Sequence, residues 1–237
     1  ETSFRVWAPG KTKVSVVLHD ESSEHSLEPE EGGYWSTTLR KCPVGTRYGY
    51  RLDGGDKVYP DPASRCQPDG PHGLSMVVDP WRYRYEHPAP SVSAQGRVVY
   101  EMHVGTFTPE GTWAAAAREL AWLKDVGINT IEMMPVAEWP GAFGWGYDGV
   151  NLFAPTRLYG EPDDLRRFID EAHGLGMAVI LDVVYNHVGP DGNYLREFSK
   201  LYFTSRYENE WGEALDFDGK GSGPVREFYV SNARYWI

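Results

Sequence analysis

The pattern of hydrophobic and polar residues changes near residue 90. Up to about residue 92, hydrophobic residues occur in short alternating runs, such as residues 14–18 and 48–52, separated by turn signals such as Pro9-Gly10. None of these runs has the 3.6-residue period of a helix. The pattern therefore predicts an all-β sandwich over residues 1–92, followed by a proline-rich stretch that packs between two domains.

From residue 97 onward, stretches typical of strands and helices alternate. We expect strands at residues 97–104, 129–136 and 179–184, and helices at residues 113–126, from Pro162 onward, and near the C-terminal end. This alternation predicts a parallel sheet. The predicted helices have these apolar faces: Ala116, Leu120 and Leu123; Leu165, Phe168, Ile169 and Ala172; Val225, Phe228, Tyr229 and Ala233.

Loop lengths distinguish an open sheet from a closed barrel. The loops after the strands are long and polar, whereas the joins from helix to strand are short, which is typical of (β/α)8 barrels. Because a complete barrel needs about 250 residues, we expect residues 97–237 to hold the first three βα units of a (β/α)8 TIM barrel, truncated after the third helix. The domain boundary is expected within residues 86–96, where prolines and small residues cluster.

Residues 177–189 contain the strongest candidate for a functional site. This nearly continuous apolar run reads as a central strand covered on both faces, with Asp182 inside it and Asn186 and His187 at its end. In parallel α/β folds the loops after the strands build the active site. A buried polar network with a loop cap explains the same residues equally well.

Composition narrows the class of partner. The net charge of −11, from 23 basic and 34 acidic residues, argues against nucleic acid and anionic membrane as partners and favours a neutral ligand. Cys42 and Cys66 are expected to be reduced thiols, and we expect no cofactor. Neither a transmembrane run nor a signal-peptide pattern is visible, so we expect a cytoplasmic protein. Nine Trp and 15 Tyr suit sugar faces as well as protein cores.

Four segments resemble a known group of enzymes. Residues 182–187, DVVYNH, resemble the first signature segment of the α-amylase superfamily of glycoside hydrolases. Residues 60–75, PDPASRCQPDGPHGLS, together with YEMHVGTFT at 100–108 and GWGYDGV at 144–150, are similar to the maltooligosyltrehalose trehalohydrolase family within it. The resemblance covers essentially the whole chain. It includes the sandwich, which resembles the immunoglobulin-like, starch-binding-like module of these enzymes.

The resemblance implies an activity. It implies hydrolysis of the α-1,4 bond next to the terminal trehalose of maltooligosyltrehalose, with retention through two carboxyl groups about 5–5.5 Å apart. In this family those carboxyl groups follow later barrel strands. The resemblance therefore implies no catalytic residue in this chain, and we expect the chain alone to be inactive.

The resemblance also implies substrate-binding roles. Tyr147 is expected to stack on the sugar before the cleaved bond, His187 to donate to its hydroxyl groups, and Asp182 to order the network beneath. Trp145 either shapes this site or covers the core. Asn186 belongs to the site, but the acidic partners of a calcium site are not evident beside it, so we expect no metal. A packed aromatic at Tyr147 and a capped loop histidine at His187 are the structural alternatives.

Two other functions fit the same motifs. The first is an α-1,4-glucan branching enzyme or an isoamylase-type debranching enzyme, which share the sandwich and the barrel. The second is a glucan-binding module without catalysis. In each case the expected partner is maltooligosyltrehalose or another α-glucan oligosaccharide.

Overall fold

A computed structural model describes residues 1–19 and 23–237 of the chain. Up to residue 76 the regular elements in the described residues are strands, apart from one 3-10 turn at Glu31–Gly33. They form two antiparallel sheets, with strand orders β1-β5-β4 and β3-β2-β6-β7, and β8 also pairs with β6. The strands are β1 Thr2–Trp7, β2 Val14–Leu18, β3 Ser23–Ser26, β4 Glu28–Pro29, β5 Tyr34–Leu39, β6 Arg47–Leu52, β7 Val58–Tyr59 and β8 Ser75–Met76.

The two sheets share one hydrophobic cluster. Phe4 and Val6 from β1 meet Val16 from β2 and Tyr50 from β6, and all four side chains are buried. Side chains on a strand point alternately to its two faces, so the alternating runs in the sequence place their apolar residues in this cluster.

The regular elements after residue 98 include six helices in the described residues. Three strands, β9, β10 and β13, form a parallel sheet in the order β13-β10-β9. The elements are β9 Val99–Met102, α1 Val104–Phe107, α2 Trp113–Arg118, α3 Leu120–Asp125, β10 Thr130–Met133, β11 Ala137–Glu138, β12 Asn151–Pro155, α4 Pro162–Gly174, β13 Ala178–Leu181, α5 Leu195–Phe198, β14 Phe203–Thr204, β15 Ala214–Leu215 and α6 Ser222–Trp236, with 3-10 turns at Arg157–Tyr159 and Lys200–Tyr202.

The strand at residues 179–184 differs from its prediction. We expected a central strand buried on both faces, but β10 is the central strand and β13 lies at the edge of the three-stranded sheet. All four residues of β13 are half-buried, since in the part of the chain that the structure describes β13 pairs with β10 alone. Asp182 lies just beyond the strand rather than inside it, although its N–H still donates to the Met133 carbonyl at 2.9 Å.

The helices largely follow their predictions. The single helix expected at residues 113–126 is divided into α2 and α3 at Glu119, whose backbone has φ −93° and ψ −5°. Gly127 ends the segment with φ +96°, and Pro162 is the first residue of α4, both as expected. The predicted apolar faces are buried or half-buried in all three regions.

The segment between the two regions is docked on α4. The Asp170 carboxylate accepts hydrogen bonds from the backbone N–H groups of Glu86 and His87 and from the Tyr83 hydroxyl, at 2.9 to 3.2 Å. Desolvation raises the pKa of Asp170, but these donors outweigh it and lower the pKa to about 2. The expected boundary at residues 86–96 therefore begins at an ordered contact.

Packing crosses the expected division at both sides. Phe198 of α5 belongs to the core of the first region, and Trp7 of β1 belongs to a cluster with residues of the second. The proline-rich stretch lies between them, as expected, because Gly70 packs against the Arg157 guanidinium and Pro71 against Gly192. Whether residues 1–92 fold independently stays a prediction.

Candidate substrate-binding site

The GWGYDGV and DVVYNH segments meet at the C-terminal end of β13. The Tyr147 hydroxyl donates to Asp182 Oδ2 at 2.9 Å. This hydrogen bond, together with partial desolvation and the nearby carboxylates, raises the pKa of the Tyr147 hydroxyl above its usual value. Asp182 therefore has a direct partner in the site, rather than serving only a strand-interior network.

His187 connects the same two segments through the backbone. Its side chain is 7% exposed, and Nε2 donates to the Tyr147 carbonyl at 2.9 Å. The other ring nitrogen, Nδ1, lies 3.1 Å from Asn186 Oδ1. Because both nitrogens contact protein groups here, direct donation to a sugar would require one of these contacts to be exchanged.

Two glycines, Gly146 next to Tyr147 and Gly189 after the DVVYNH segment, fix the course of the chain around Tyr147. Gly146 has φ +90°, and a Cβ at this position would lie 1.9 Å from the Pro135 carbonyl oxygen. A Cβ on Gly189 would lie 2.2 Å from the Asp148 carbonyl oxygen. Neither position accepts a side chain. Residues 144–149, which we call the 144–149 loop, therefore lie tightly against the strand ends.

Aromatic side chains of residues 143–147 are exposed to solvent. Phe143 is 95% exposed and Trp145 is 73% exposed, and Tyr147 also presents part of its ring to solvent. The alternative that Trp145 covers the core is therefore wrong. Large exposed aromatic rings on a conformationally fixed loop are suited to stacking on the apolar faces of sugar rings.

A second loop, residues 205–213 between β14 and β15, also contacts the site residues. Trp211 stacks on His187, with ring centroids 5.9 Å apart and an interplanar angle of 28°. Asn209 Nδ2 donates to the Asn186 carbonyl at 3.1 Å. Neither residue was identified from the sequence; the only signal was a tryptophan among polar residues in a long loop after a barrel-type strand.

A family profile described as "Alpha amylase, catalytic domain" matches residues 57–232. The chain belongs to the alpha-amylase family. A second profile, "Carbohydrate-binding module 48 (Isoamylase N-terminal domain)", matches residues 1–82. The two matches overlap in the proline-rich stretch, which packs between the two regions of this alpha-amylase-family chain.

Curated relatives identify the branch of the family that this chain resembles. Malto-oligosyltrehalose trehalohydrolase of Saccharolobus solfataricus is 44% identical over 99% of this chain and 41% of its own length. That of Deinococcus radiodurans is 42% identical over 100% of this chain and 38% of its own length. The 1,4-alpha-glucan branching enzyme of Nocardia farcinica is 33% identical over 100% of this chain and 34% of its own length. The resemblance to trehalohydrolases is thus confirmed, and the chain spans about 40% of the length of those relatives.

Solved structures agree with the family. A Salmonella typhimurium protein described as an alpha amylase superposes with a TM-score of 0.93 at 41% identity, over 99% of this chain and 39% of that one. A pullulanase from Anoxybacillus sp. LM18-11, complexed with maltotetraose, superposes with a TM-score of 0.83 at 25% identity, over 99% and 41%.

The tyrosine of the DVVYNH segment has a different role from its neighbours. The Tyr185 hydroxyl donates to Asn232 Oδ1 at 2.6 Å, and Asn232 Nδ2 donates to the Leu152 carbonyl at 2.8 Å. Asn232 is only 1% exposed, so the bond to Leu152 is buried, and the bond from Tyr185 is partly buried. Tyr185 therefore links the DVVYNH segment to helix α6 and strand β12 and does not face the site.

Other ligand classes find little support in this alpha-amylase-family chain. Among residues 1–19 and 23–237, no group of three or more His, Cys, Asp or Glu side chains is placed to hold a metal ion. The absence of a metal at Asn186 stays a prediction. No helix within those residues is both long and apolar enough to cross a membrane.

Proposed function

We propose that this chain is part of a glycoside hydrolase that cleaves the α-1,4 bond next to the terminal trehalose of maltooligosyltrehalose and releases trehalose. One observation carries the proposal. Seven curated trehalohydrolases match 99% or more of the chain at 38–44% identity, whereas the branching enzyme reaches 33%. The exposed aromatic rings beside the joined motifs are consistent with a glucan ligand.

The proposed architecture assigns the chain one part of the active site. Residues 1–92 are proposed to form an immunoglobulin-like, starch-binding-like sandwich, and residues 97–237 the first three βα units of a (β/α)8 barrel. We propose that the nucleophile and the acid/base of a retaining mechanism lie outside these 237 residues. The chain would then supply binding and orientation rather than proton transfer, and would be inactive alone.

The proposed roles of the site residues follow from their contacts. Tyr147 presents its ring to the sugar before the cleaved bond, while its hydroxyl is held by Asp182. His187 fixes the Tyr147 backbone, and exchange of this bond is its route to donating to a sugar hydroxyl. Asn186 contributes to the same junction, and Trp145 extends the aromatic surface.

Partners and location follow the same proposal. The partner is maltooligosyltrehalose or a related α-glucan oligosaccharide, with neither nucleic acid nor membrane, because the net charge is −11. The location is proposed to be cytoplasmic. A glucan-binding module without catalysis is the second candidate, favoured by the carbohydrate-binding module 48 match over residues 1–82.

Product analysis of the full-length protein tests the activity. Incubation with maltooligosyltrehalose should release trehalose, measured by chromatography. A shift in iodine absorbance of amylose without trehalose release would indicate a branching enzyme, and cleavage of pullulan a debranching enzyme. Binding of maltooligosaccharides without any product would support the glucan-binding module instead.

Substitution of Tyr147 tests the site. In the full-length protein, Tyr147→Ala removes the ring and should lower kcat by more than it raises KM, because stacking strengthens as positive charge develops on the sugar. Tyr147→Phe keeps the ring and loses only the hydrogen bond to Asp182, so it should weaken transition-state binding by about 1 kcal/mol. Tyr85→Ala, an exposed tyrosine in the segment before the barrel, is the matched control and should leave both constants unchanged. Equal damage from the Phe and Ala variants would replace the stacking role with a hydroxyl role.

A further inference from the structure

The 205–213 loop receives little support from its own hairpin. Strands β14 and β15 pair through two positions only, Phe203 with Leu215 and Thr204 with Ala214. An isolated two-stranded hairpin is at best marginally stable in water, and one this short offers less. The position of the loop over the site must therefore depend on contacts that its side chains make.

Asn209 makes two such contacts. Its Nδ2 donates to the Asn186 carbonyl at 3.1 Å, and its Oδ1 accepts from the Trp211 backbone N–H at 3.0 Å. A side-chain amide is both donor and acceptor, so one half-buried residue joins the end of the DVVYNH segment to the backbone that carries Trp211.

Trp211 depends on this connection for its place. Its ring lies over His187, yet 63% of the residue is exposed, so packing on other side chains holds it only weakly. The His187 ring is itself fixed, because Nε2 donates to the Tyr147 carbonyl. The position of the Trp211 ring over His187 is therefore determined by where the 205–213 loop is held.

We propose that Asn209 is a positioning residue that holds Trp211 against His187 and so sets the second aromatic wall of the sugar site. The choice of ligand rests on the proposed glucan function. A ring held in place stacks on a glucosyl unit without a further loss of conformational entropy, whereas a ring on a free loop must be ordered during binding. Asn209 thus acts on affinity through Trp211.

Two substitutions separate the two hydrogen bonds. Asn209→Asp keeps an acceptor for the Trp211 N–H but places a carboxylate oxygen against the Asn186 carbonyl, while Asn209→Ala removes both bonds. Glu210→Ala is the matched control, since this neighbouring side chain is exposed. All variants are made in the full-length protein, and an unchanged thermal transition establishes that the fold is retained.

The first measurement does not use a sugar. In protein labelled with 5-fluorotryptophan, the 19F resonance that disappears in Trp211→Phe belongs to Trp211. Both Asn209 variants should move this resonance toward the position of free 5-fluorotryptophan, because the ring leaves His187, and Glu210→Ala should not. A Trp211 resonance unchanged in Asn209→Ala would overturn the proposal.

The second measurement is calorimetric titration with maltoheptaose. Both Asn209 variants lose the hydrogen bond to the Asn186 carbonyl, and each should raise Kd roughly threefold to tenfold, the range expected for loss of that bond. In a Trp211→Ala background the same substitutions should change nothing further, since Asn209 acts through that ring. A change that persists in this background would mean that Asn209 contacts the sugar directly. If the wild-type full-length protein binds no maltoheptaose, the proposed glucan function fails, and the 19F measurement still decides the role of Asn209.

Discussion

The two loops that approach the candidate site are held by different kinds of interaction. The 144–149 loop is fixed by its backbone: Gly146 packs directly on the Pro135 carbonyl, and the Tyr147 carbonyl accepts from His187. The 205–213 loop is held by side chains at its surface. Asn209 contacts the Asn186 carbonyl, and Arg206 pairs with Asp216 and Asp218 at 2.6 and 2.5 Å.

This difference separates a rigid wall from an adjustable one. A position with no room for a Cβ excludes other backbone paths, whereas each exposed ion pair contributes about 0–1 kcal/mol and is screened by salt. We therefore expect the 144–149 loop to keep its shape under most conditions and the 205–213 loop to open readily. The variants and conditions below act on one loop and leave the other as a reference.

The largest effect is expected from Gly146→Ala. The new methyl would collide with the Pro135 carbonyl 1.9 Å away, and alanine disfavours a φ of +90°. We expect a loss of roughly 3 kcal/mol in the free energy of unfolding, or roughly 6–12 °C in Tm. Calorimetric melting measures this loss.

Gly141→Ala is the matched control for that variant. Gly141 has a similar φ of +82°, but a Cβ there would meet no atom within 4 Å. Its cost should be limited to the backbone contribution of about 1–2 kcal/mol. Equal losses in the two variants would show that the contact with Pro135 does not fix the loop.

The same contrast explains which parts of the site could be predicted from the sequence. The GWGYDGV segment carries its constraints in consecutive residues, and its resemblance to the family motif grouped Tyr147 with Asp182 and His187, which the structure brings into contact. Their sugar-binding roles stay predictions. Trp211 and Asn209 lie more than 20 residues beyond His187 in an irregular loop. No local pattern indicates that Asn209 contacts the Asn186 carbonyl, because tertiary packing alone brings them together.

The fold shows a similar limit. Helix faces repeat every three to four residues, so the buried positions of α4 and α6 follow from the sequence. The place of a strand within a sheet depends on distant partners. An apolar run such as residues 179–184 suggests a central strand, yet within the described residues β13 is an edge strand that pairs with β10 alone.

Arg206→Gln should have the next largest effect. It removes the cation that joins Asp216 and Asp218 beneath the 205–213 loop. We expect the local opening free energy of that loop to fall, with little change in Tm. Amide hydrogen exchange measures this, with the Gly189 N–H, which donates to the Gly149 carbonyl, as the internal reference. A matching loss at Gly189 would contradict independent loops.

Acid should loosen the same loop more weakly. The hydrogen bond from Tyr207, then that from Arg206, lowers the pKa of Asp218 below its usual value. A carboxyl group with a lowered folded pKa stabilises the native state above its unfolded pKa of about 4, and this contribution is lost as pH falls through the lower folded value. Exchange protection in the loop, corrected for intrinsic rates, should therefore decline below about pH 4. Asp218→Asn should remove that decline; its persistence would point to another carboxyl group.

Glu213→Gln should have the smallest effect. Glu213 pairs with Arg196 at the base of the loop, directly before β15, and both side chains are about half exposed. The pair contributes less than about 0.5 kcal/mol, because water and salt screen it and its loss leaves the strand pairing in place. Hydrogen exchange in 20 mM and 500 mM NaCl should find no difference from wild type at Trp211 in either salt. A change as large as that of Arg206→Gln would mean that the loop is held at its base. The contacts of Arg206 and Asn209 would then not explain why this loop opens more readily than the 144–149 loop.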